Sequence, residues 1–240
     1  MKVKLIRIIC IAVFLFSAYK VFLYFYSYME TEKELGHIQT LYIESEKKVP
    51  VEEFKTISNK FIDLQKINSN IVGWIRLDDS KLNNPVLQTD NNEFYLHHNY
   101  LNEKSRAGSV FMDFRNNANS LHTIFYGHVM KNGAMFGELA KFANQKYVES
   151  HPYFTYETAR QNYRLDVFAA YETTTDFYYI ETNFTDETYA QFIATIQEKS
   201  IIHTPVQVTA QDRIMTLSTC TTSSKDSERF VVHAKLVEVQ

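Results

Sequence analysis

Cysteine is scarce in this chain, and other residue types that mark specialised classes of protein are scarce with it. Two cysteines in 240 residues cannot form the disulfide framework of a small secreted domain. Six glycines and four prolines exclude a collagen-like or linker-like region, and the sequence contains no internal repeat. A net charge of −3 lacks the basic excess of nucleic-acid-binding proteins. We therefore expect no nucleic acid among the partners.

Sequence patterns that bind metal ions are also missing. The chain has no HExxH or CxxC spacing, which are the commonest zinc signatures, and no acidic loop of the EF-hand type. The adjacent pair His97–His98 is sterically awkward for holding a single ion. We expect neither a metal nor any other cofactor.

One long apolar run is present, at the N-terminus. Ile8–Met29 contains a single charge, Lys20, and as a helix it is about 33 Å long, enough to cross a hydrocarbon core of about 30 Å. Basic residues precede the run and acidic residues follow it, while aromatic residues crowd its C-terminal end. This pattern favours an uncleaved anchor with a cytoplasmic N-terminus. A cleaved signal peptide is the alternative, but the run continues past Lys20 without a small-x-small cleavage site.

The rest of the chain has the length of one domain. We predict a cytoplasmic N-terminus and membrane anchor over residues 1–29, a helix-compatible stalk over 30–50, and a single extracellular domain over 51–240. Helical spacing is found in Val51–Ile67, Met135–Glu149 and Asp186–Lys199, the last with Thr185 as N-cap.

The other segments are short and β-like. They are Ile71–Leu77, Asn84–Thr89, Ser109–Phe114, Thr123–Tyr126, Tyr153–Tyr156, Tyr163–Thr173, Val206–Thr209, Arg213–Thr219 and Arg229–Val239. Many strands interrupted by a few helices predict a mainly β fold with helices, of the α+β class, built as a barrel or sandwich. The short connections disfavour a βαβ parallel sheet.

Three residues at the ends of predicted strands carry chemistry that fits together. Cys220 follows the run Arg213–Thr219, His128 follows a strand closely, and Arg229 begins one. A thiolate attacks a carbonyl, a histidine protonates a departing amine, and an arginine stabilises a carbonyl oxygen that gains negative charge. Each residue alone also has an ordinary structural interpretation, as a small buried thiol, a turn histidine or a surface charge.

Several segments, in this order, resemble the sortases, and class B in particular. Thr216–Cys220 is similar to the TLxTC motif of the family, and Arg229–Val232 is similar to the strand that carries its arginine. The other similar segments are Gly73–Ile75, Gly108–Arg115 and Tyr126–His128. The likeness extends from about Ile71 to Val239.

The resemblance implies an eight-stranded β-barrel with N-terminal helices and a helix in the connection before the strand that ends in Cys220. It also implies a membrane-anchored cysteine transpeptidase on the outer face of a Gram-positive cell membrane, with residues 51–240 as catalytic domain. Cys220 would attack a Thr–Gly-like or Thr–Asn-like bond in a C-terminal sorting signal and form a thioacyl enzyme. His128 would protonate the departing amine and deprotonate the incoming one, and Arg229 would hold the signal and stabilise the oxyanion.

The resemblance further implies a peptide groove and a set of partners. The groove would be lined by Asn92, Tyr95, Leu96, Thr175, Tyr179, Ile180 and Ser218. The protein partners would be surface or pilin proteins that carry a sorting signal. The acceptor would be an amine from a peptidoglycan precursor or from a lysine of another pilin subunit, and the enzyme would also contact the membrane. Thr221–Asp226 differs from the acidic or aromatic segment often found after the cysteine in class B enzymes that anchor haem-uptake proteins. The signal sequence and the role of Asp226 therefore stay open.

Two other interpretations use the same residues. A papain-type hydrolase would have its nucleophile near the mature N-terminus and its histidine far downstream, which is the reverse of the order here. A non-catalytic surface adhesin would keep its function in a Cys220→Ala variant.

Overall fold

Eight strands close into one barrel in the computed structural model, which describes residues 2–47, 56–174, 177–220 and 228–239. The strands are β1 (Ile71–Arg76), β2 (Asn83–Leu87), β3 (Val110–Met112), β4 (His122–Tyr126), β5 (Tyr153–Glu157), β6 (Asn162–Thr173), β7 (Ile214–Cys220) and β8 (Arg229–Val239). Their order around the barrel is β1-β2-β3-β4-β7-β8-β6-β5. The eight-stranded barrel implied by the family resemblance is therefore confirmed.

Four helices and two 3-10 turns accompany the strands in the described ranges. The helices are α1 (Lys2–Lys47), α2 (Thr56–Ile67), α3 (Gln145–Ser150) and α4 (Asp186–Lys199), and the turns are Phe94–Leu96 and Leu139–Ala143. Most strand pairs are antiparallel, but β2–β3 and β4–β7 are parallel. Both parallel pairs are joined by segments long enough to return the chain to the same end of the barrel. The barrel is therefore mixed and mostly antiparallel, and it is not the βαβ parallel sheet that the short connections disfavoured.

The backbone contacts divide the chain into two units, one that ends at His37 and one that begins at Ile38. Within the first unit, the large apolar side chains between Val3 and Met29 are exposed. By length and composition, one helix among the described residues can cross a membrane, namely α1 between Val3 and Ser45. The orientation of that helix stays a prediction.

Within the second unit, the end of α1 belongs to the core. Ile38 is fully buried, and Tyr42 stacks on Trp74 with 4.0 Å between ring centroids. Lys60 lies 3.5 Å from the centroid of the Tyr42 ring and forms an ion pair with Glu157 at 2.8 Å. Residues 38–45 of the segment predicted as a stalk therefore pack in the unit that contains the barrel. The boundaries of anchor, stalk and domain stay a prediction.

Local sequence signals predicted one helix correctly and another incorrectly. Helix α4 has the predicted bounds, and the Thr185 side chain caps it by accepting a hydrogen bond from Thr188 N at 3.2 Å. The single helix predicted over Met135–Glu149 is instead a 3-10 turn followed by α3. Met135 has a φ of 52°, outside the helical region, and the extended Asn144 begins a new helix as its N-cap.

One predicted strand is absent from the structure. Val206–Thr209, which lies within the described residues, is outside the barrel and has no regular structure. Its β-branched residues are explained by packing, since Val206 and Val208 contact a core cluster that includes Ile193 and Ile196 of α4.

A buried chain of hydrogen bonds crosses four strands of the barrel. His122 Nδ1 donates to the Glu181 carbonyl oxygen at 2.7 Å, so Nε2 of the neutral ring must accept, here from the Thr216 hydroxyl at 2.6 Å. The same hydroxyl oxygen accepts from His233 Nδ1 at 2.7 Å, and His233 Nε2 accepts from the Tyr171 hydroxyl at 2.9 Å. Protonation of either ring would turn its accepting nitrogen into a donor, and the hydroxyl bonded to that nitrogen would have to reverse its role.

The same burial makes both imidazoles hard to protonate. It lowers the pKa of His122 to about 4. Burial, together with the neighbouring His122, holds the pKa of His233 well below its usual range. The unfolded chain therefore binds more protons than the folded chain below about pH 6.5.

Acid is therefore expected to destabilise the fold well above the titration range of most carboxylates. The free energy of unfolding should fall as the pH falls from about 6.5 toward 4, by up to about 1.4 kcal/mol per pH unit for each histidine. Urea denaturation of the full-length protein in detergent micelles at a series of pH values measures this slope. His233→Gln should flatten the slope, whereas His97→Gln, which removes an exposed imidazole, should preserve it. An unchanged slope in the His233 variant would contradict the assignment.

Candidate active site

Strand register brings the backbones of His128, Cys220 and Arg229 to one rim of the barrel. Cys220 is the direct cross-strand partner of Arg229 in the antiparallel pair β7–β8. In the parallel pair β4–β7, Tyr126 is aligned with Ser218. His128 and Cys220 each follow two positions later, in the same direction. The three strand ends that the sequence singled out therefore meet.

A hydrogen bond orients the ring of His128. Its Nε2 lies 2.8 Å from the Leu96 carbonyl oxygen, which can only accept, so Nε2 carries a proton and Nδ1 is left to exchange one. Gly108, with a φ of +57°, allows its own backbone to approach the backbone of Tyr95 and Leu96 closely. A Cβ at Gly108 would lie 2.5 Å from the Tyr95 carbonyl oxygen and 2.7 Å from that of Leu96.

The guanidinium of Arg229 lies at the same rim. The side chain is half-buried, and Nη1 donates to the Glu228 carbonyl oxygen at 2.9 Å. The Cys220 side chain, Thr175 and Asp226 lie outside the described part of the structure. The described part of the site therefore consists of the Cys220 backbone and the side chains of His128 and Arg229.

A cleft of about 420 Å³ opens beside His128 and Arg229. Five of the seven residues predicted for the groove line it: Asn92, Leu96, Tyr179, Ile180 and Ser218. Four aromatic residues that were not predicted for the groove also line it: Phe111, Tyr126, Phe177 and Tyr178. Grooves lined by aromatic side chains with a few polar groups are one of the ways in which proteins bind extended peptides.

The structure does not bring the side chain of Tyr95 to the cleft. Tyr95 is 1% exposed, and its hydroxyl donates to Asn102 Oδ1 and accepts from Asn68 and Asn70, each at 3.0 Å. In the 3-10 turn, successive side chains point in different directions, so Leu96 reaches the cleft while Tyr95 enters the core. Tyr95 thus belongs to the buried cluster against which the cleft residues Leu96 and Tyr126 pack.

A buried carboxylate beneath the cleft is the main feature that the sequence did not reveal. Asp113 has no exposed side-chain surface, and it accepts hydrogen bonds from Arg115 Nε at 2.8 Å and Arg115 Nη2 at 2.7 Å. It also accepts from the Tyr126 hydroxyl at 2.8 Å and from Asn92 Nδ2 at 3.0 Å. Burial raises the pKa of Asp113, but the hydrogen bonds from Arg115 and Tyr126 outweigh it and hold the pKa below its usual value.

Within the described residues, no group of three or more His, Cys, Asp or Glu side chains is arranged to hold a metal ion. The expectation that the protein uses neither a metal nor another cofactor stays a prediction.

Comparison with known proteins shows the family to which this chain belongs. The model of the sortase domain family matches residues 75–237. This chain belongs to the sortase family. Sortase B of Listeria monocytogenes is 41% identical to it over 239 residues, which cover 98% of this chain and 96% of that protein.

Solved structures agree with this assignment. A Staphylococcus aureus sortase B–substrate complex has a TM-score of 0.82 and 38% identity and covers 88% of this chain and 98% of its own. A sortase B complexed with triglycine has a TM-score of 0.81 and 38% identity and covers 88% of this chain and 99% of its own. This sortase is therefore of class B, and it is a cysteine transpeptidase. The papain-type and adhesin interpretations are set aside.

Proposed function

We propose that this sortase is held in the membrane by α1 and acts outside the cell. There it cleaves the C-terminal sorting signal of surface proteins and transfers them to an amine of peptidoglycan. The observation that supports the site is the strand register, which places the backbones of His128, Cys220 and Arg229 at one rim. The cleft beside His128 and Arg229 supports a peptide as the substrate.

The first half-reaction forms a thioacyl enzyme. The Cys220 thiolate attacks the carbonyl carbon of the threonine in a Thr–Gly-like or Thr–Asn-like bond. Arg229 stabilises the oxygen that becomes negative, since its guanidinium stays charged at any working pH. His128 then gives a proton from Nδ1 to the leaving amine as the C–N bond breaks, and the acyl group stays on sulfur.

The second half-reaction reverses these roles. The incoming amine loses a proton to His128 and attacks the thioester carbonyl, with Arg229 again stabilising the oxyanion. The C–S bond breaks, the thiolate leaves, and a new amide joins the surface protein to the acceptor. Because His128 Nε2 is held by Leu96, the ring keeps one orientation through both steps.

Mass spectrometry of the Cys220 adduct tests this function. The full-length protein in detergent micelles is incubated with a library of sorting-signal peptides, without and then with an amine. We expect at least one peptide to form a Cys220 thioester that ends at its threonine, and the added amine to release it as a new amide.

The choice of amine separates two acceptors. Triglycine represents a peptidoglycan cross-bridge, and a lysine side-chain amine represents another pilin subunit. Preference for triglycine supports anchoring to peptidoglycan, whereas preference for lysine would show a pilin polymerase instead. Absence of a Cys220 thioester with every peptide would contradict the proposed function.

A further inference from the structure

One part of the cleft lining, the Asn92 wall, is tied to the buried Asp113–Arg115 pair through the Asn92 side chain. Asn92 Nδ2 donates to Asp113 Oδ2 at 3.0 Å, and Asn92 Oδ1 accepts from the Phe114 backbone N at 3.0 Å. Both ends of this amide are therefore engaged, which fixes its orientation in the cleft. Tyr126, another residue of the cleft lining, is held by the same carboxylate, because its hydroxyl donates to Asp113 at 2.8 Å.

A second part of the cleft lining, the Ile180 wall formed by Tyr178 and Ile180, is tied to the same pair through the arginine. Arg115 Nη1 donates to the Tyr178 hydroxyl at 3.0 Å, and Nη2 donates to the Ile180 carbonyl oxygen at 3.0 Å. Tyr178 and Ile180 belong to the connection between β6 and α4, which has no regular secondary structure at these positions. The position of this wall therefore depends on side-chain tethers rather than on a backbone ladder.

A second arginine–aspartate pair has the same geometry but lies away from the cleft. Arg164 and Asp166 are also two positions apart, and they form the same fork at 2.6 and 3.0 Å. That pair lies on β6, with the Arg164 side chain 46% exposed, and neither residue is among those that line the described cleft. The Asp113–Arg115 pair differs because its carboxylate is fully buried and its remaining hydrogen bonds reach both walls.

We propose that Asp113 and Arg115 are positioning residues that set the separation of the Asn92 wall and the Ile180 wall, and thereby the fit of the sorting-signal peptide. This inference rests on the proposed function, in which that peptide occupies the cleft. A buried carboxylate is costly unless it is fully hydrogen-bonded. The groups that satisfy it are therefore held together, and with them the two walls.

The tethers are expected to act on binding more than on chemistry. If a wall reaches its binding position only a tenth of the time, the apparent affinity for the peptide falls about tenfold. Once the peptide is bound, it holds the wall itself, so the bond-breaking step is little changed. Two other contacts hold the same segment and limit this loss of affinity. They are Tyr179 Oη to Ser218 Oγ at 2.8 Å and His122 to the Glu181 carbonyl oxygen at 2.7 Å.

Arg115→Lys tests the inference, because it keeps a positive charge beside Asp113 but loses the planar fork. With the full-length enzyme in detergent and a peptide accepted by the wild type, KM for the peptide should rise about tenfold while kcat stays within about twofold. Alkylation of Cys220 by iodoacetamide, which does not need the walls, should keep its rate. Arg164→Lys is the matched control and should leave all three quantities unchanged.

Hydrogen exchange of the full-length protein adds a readout that needs no peptide. Backbone amides of residues 177–181 should exchange faster in Arg115→Lys than in the wild type and in Arg164→Lys. Asp113→Asn, which keeps the side-chain volume and loses the charge, is a second variant and should shift KM and exchange in the same direction.

Three results would overturn the positioning role. They are an unchanged KM in both variants, an equal loss of kcat and of the alkylation rate, and unchanged exchange at residues 177–181. Failure of the proposed function is a different observation, namely that the wild type forms no Cys220 thioester with any peptide. The exchange comparison decides the positioning role even then.

Discussion

Cys220→Ala is expected to abolish transfer completely and to leave the fold intact. The only other cysteine of the chain is Cys10, and a methyl group cannot form the thioacyl bond on which both half-reactions depend. The measurement is release of the transferred product by the full-length enzyme, with the wild type as reference. The transfer rate of the variant should fall to the limit of detection.

The second cysteine provides the matched control. Cys10 lies in the apolar part of α1 and is exposed there, so Cys10→Ala should retain wild-type turnover in detergent. Residual transfer by Cys220→Ala would show that another group is the nucleophile. Loss of transfer in Cys10→Ala would show that the assay reports something other than the rim of the barrel.

Arg229→Gln is expected to lower kcat by about a hundredfold or more, in line with the loss of one donor from an oxyanion site. Glutamine can still donate a hydrogen bond, but it lacks the charge that stabilises the developing oxyanion. Arg229→Lys restores the charge without the planar fork and should recover part of the rate. Steady-state kinetics with an accepted peptide measure both variants.

An exposed arginine on the turn between β5 and β6 provides the comparison for this change. Arg160→Gln removes the same charge from an exposed side chain that does not line the cleft, and it should leave kcat unchanged. Near-native turnover in Arg229→Gln would disprove its role in stabilising the oxyanion. A rise in KM without a fall in kcat would restrict Arg229 to holding the signal peptide.

The sequence predicted well where the signal was local. Helix α4 has its N-cap at Thr185 and its apolar residues at Tyr189, Phe192, Ile193 and Ile196, all of which are buried as their spacing predicts. The same kind of pattern over Met135–Glu149 was misleading because a positive φ and an internal cap divide that segment. The β-branched residues of Val206–Thr209 suited a strand but pair with none of the strands described.

By itself, the sequence determined the kinds of group available for chemistry, their order along the chain and the likeness to class B sortases. An apolar run, a TLxTC-like motif and a strand that begins with arginine are all readable without coordinates. These features consist of neighbouring residues, so their meaning does not depend on how distant segments pair. The identity of the family followed from them.

Only the tertiary structure decided which distant residues meet. The alignment of β4 with β7 places His128 beside the Cys220 strand end, and the fold brings Tyr178 and Ile180 to Arg115. It also directs Leu96 to the cleft and Tyr95 to the core. Register between strands far apart in the chain is determined by the packing of the whole barrel, and no local pattern encodes it.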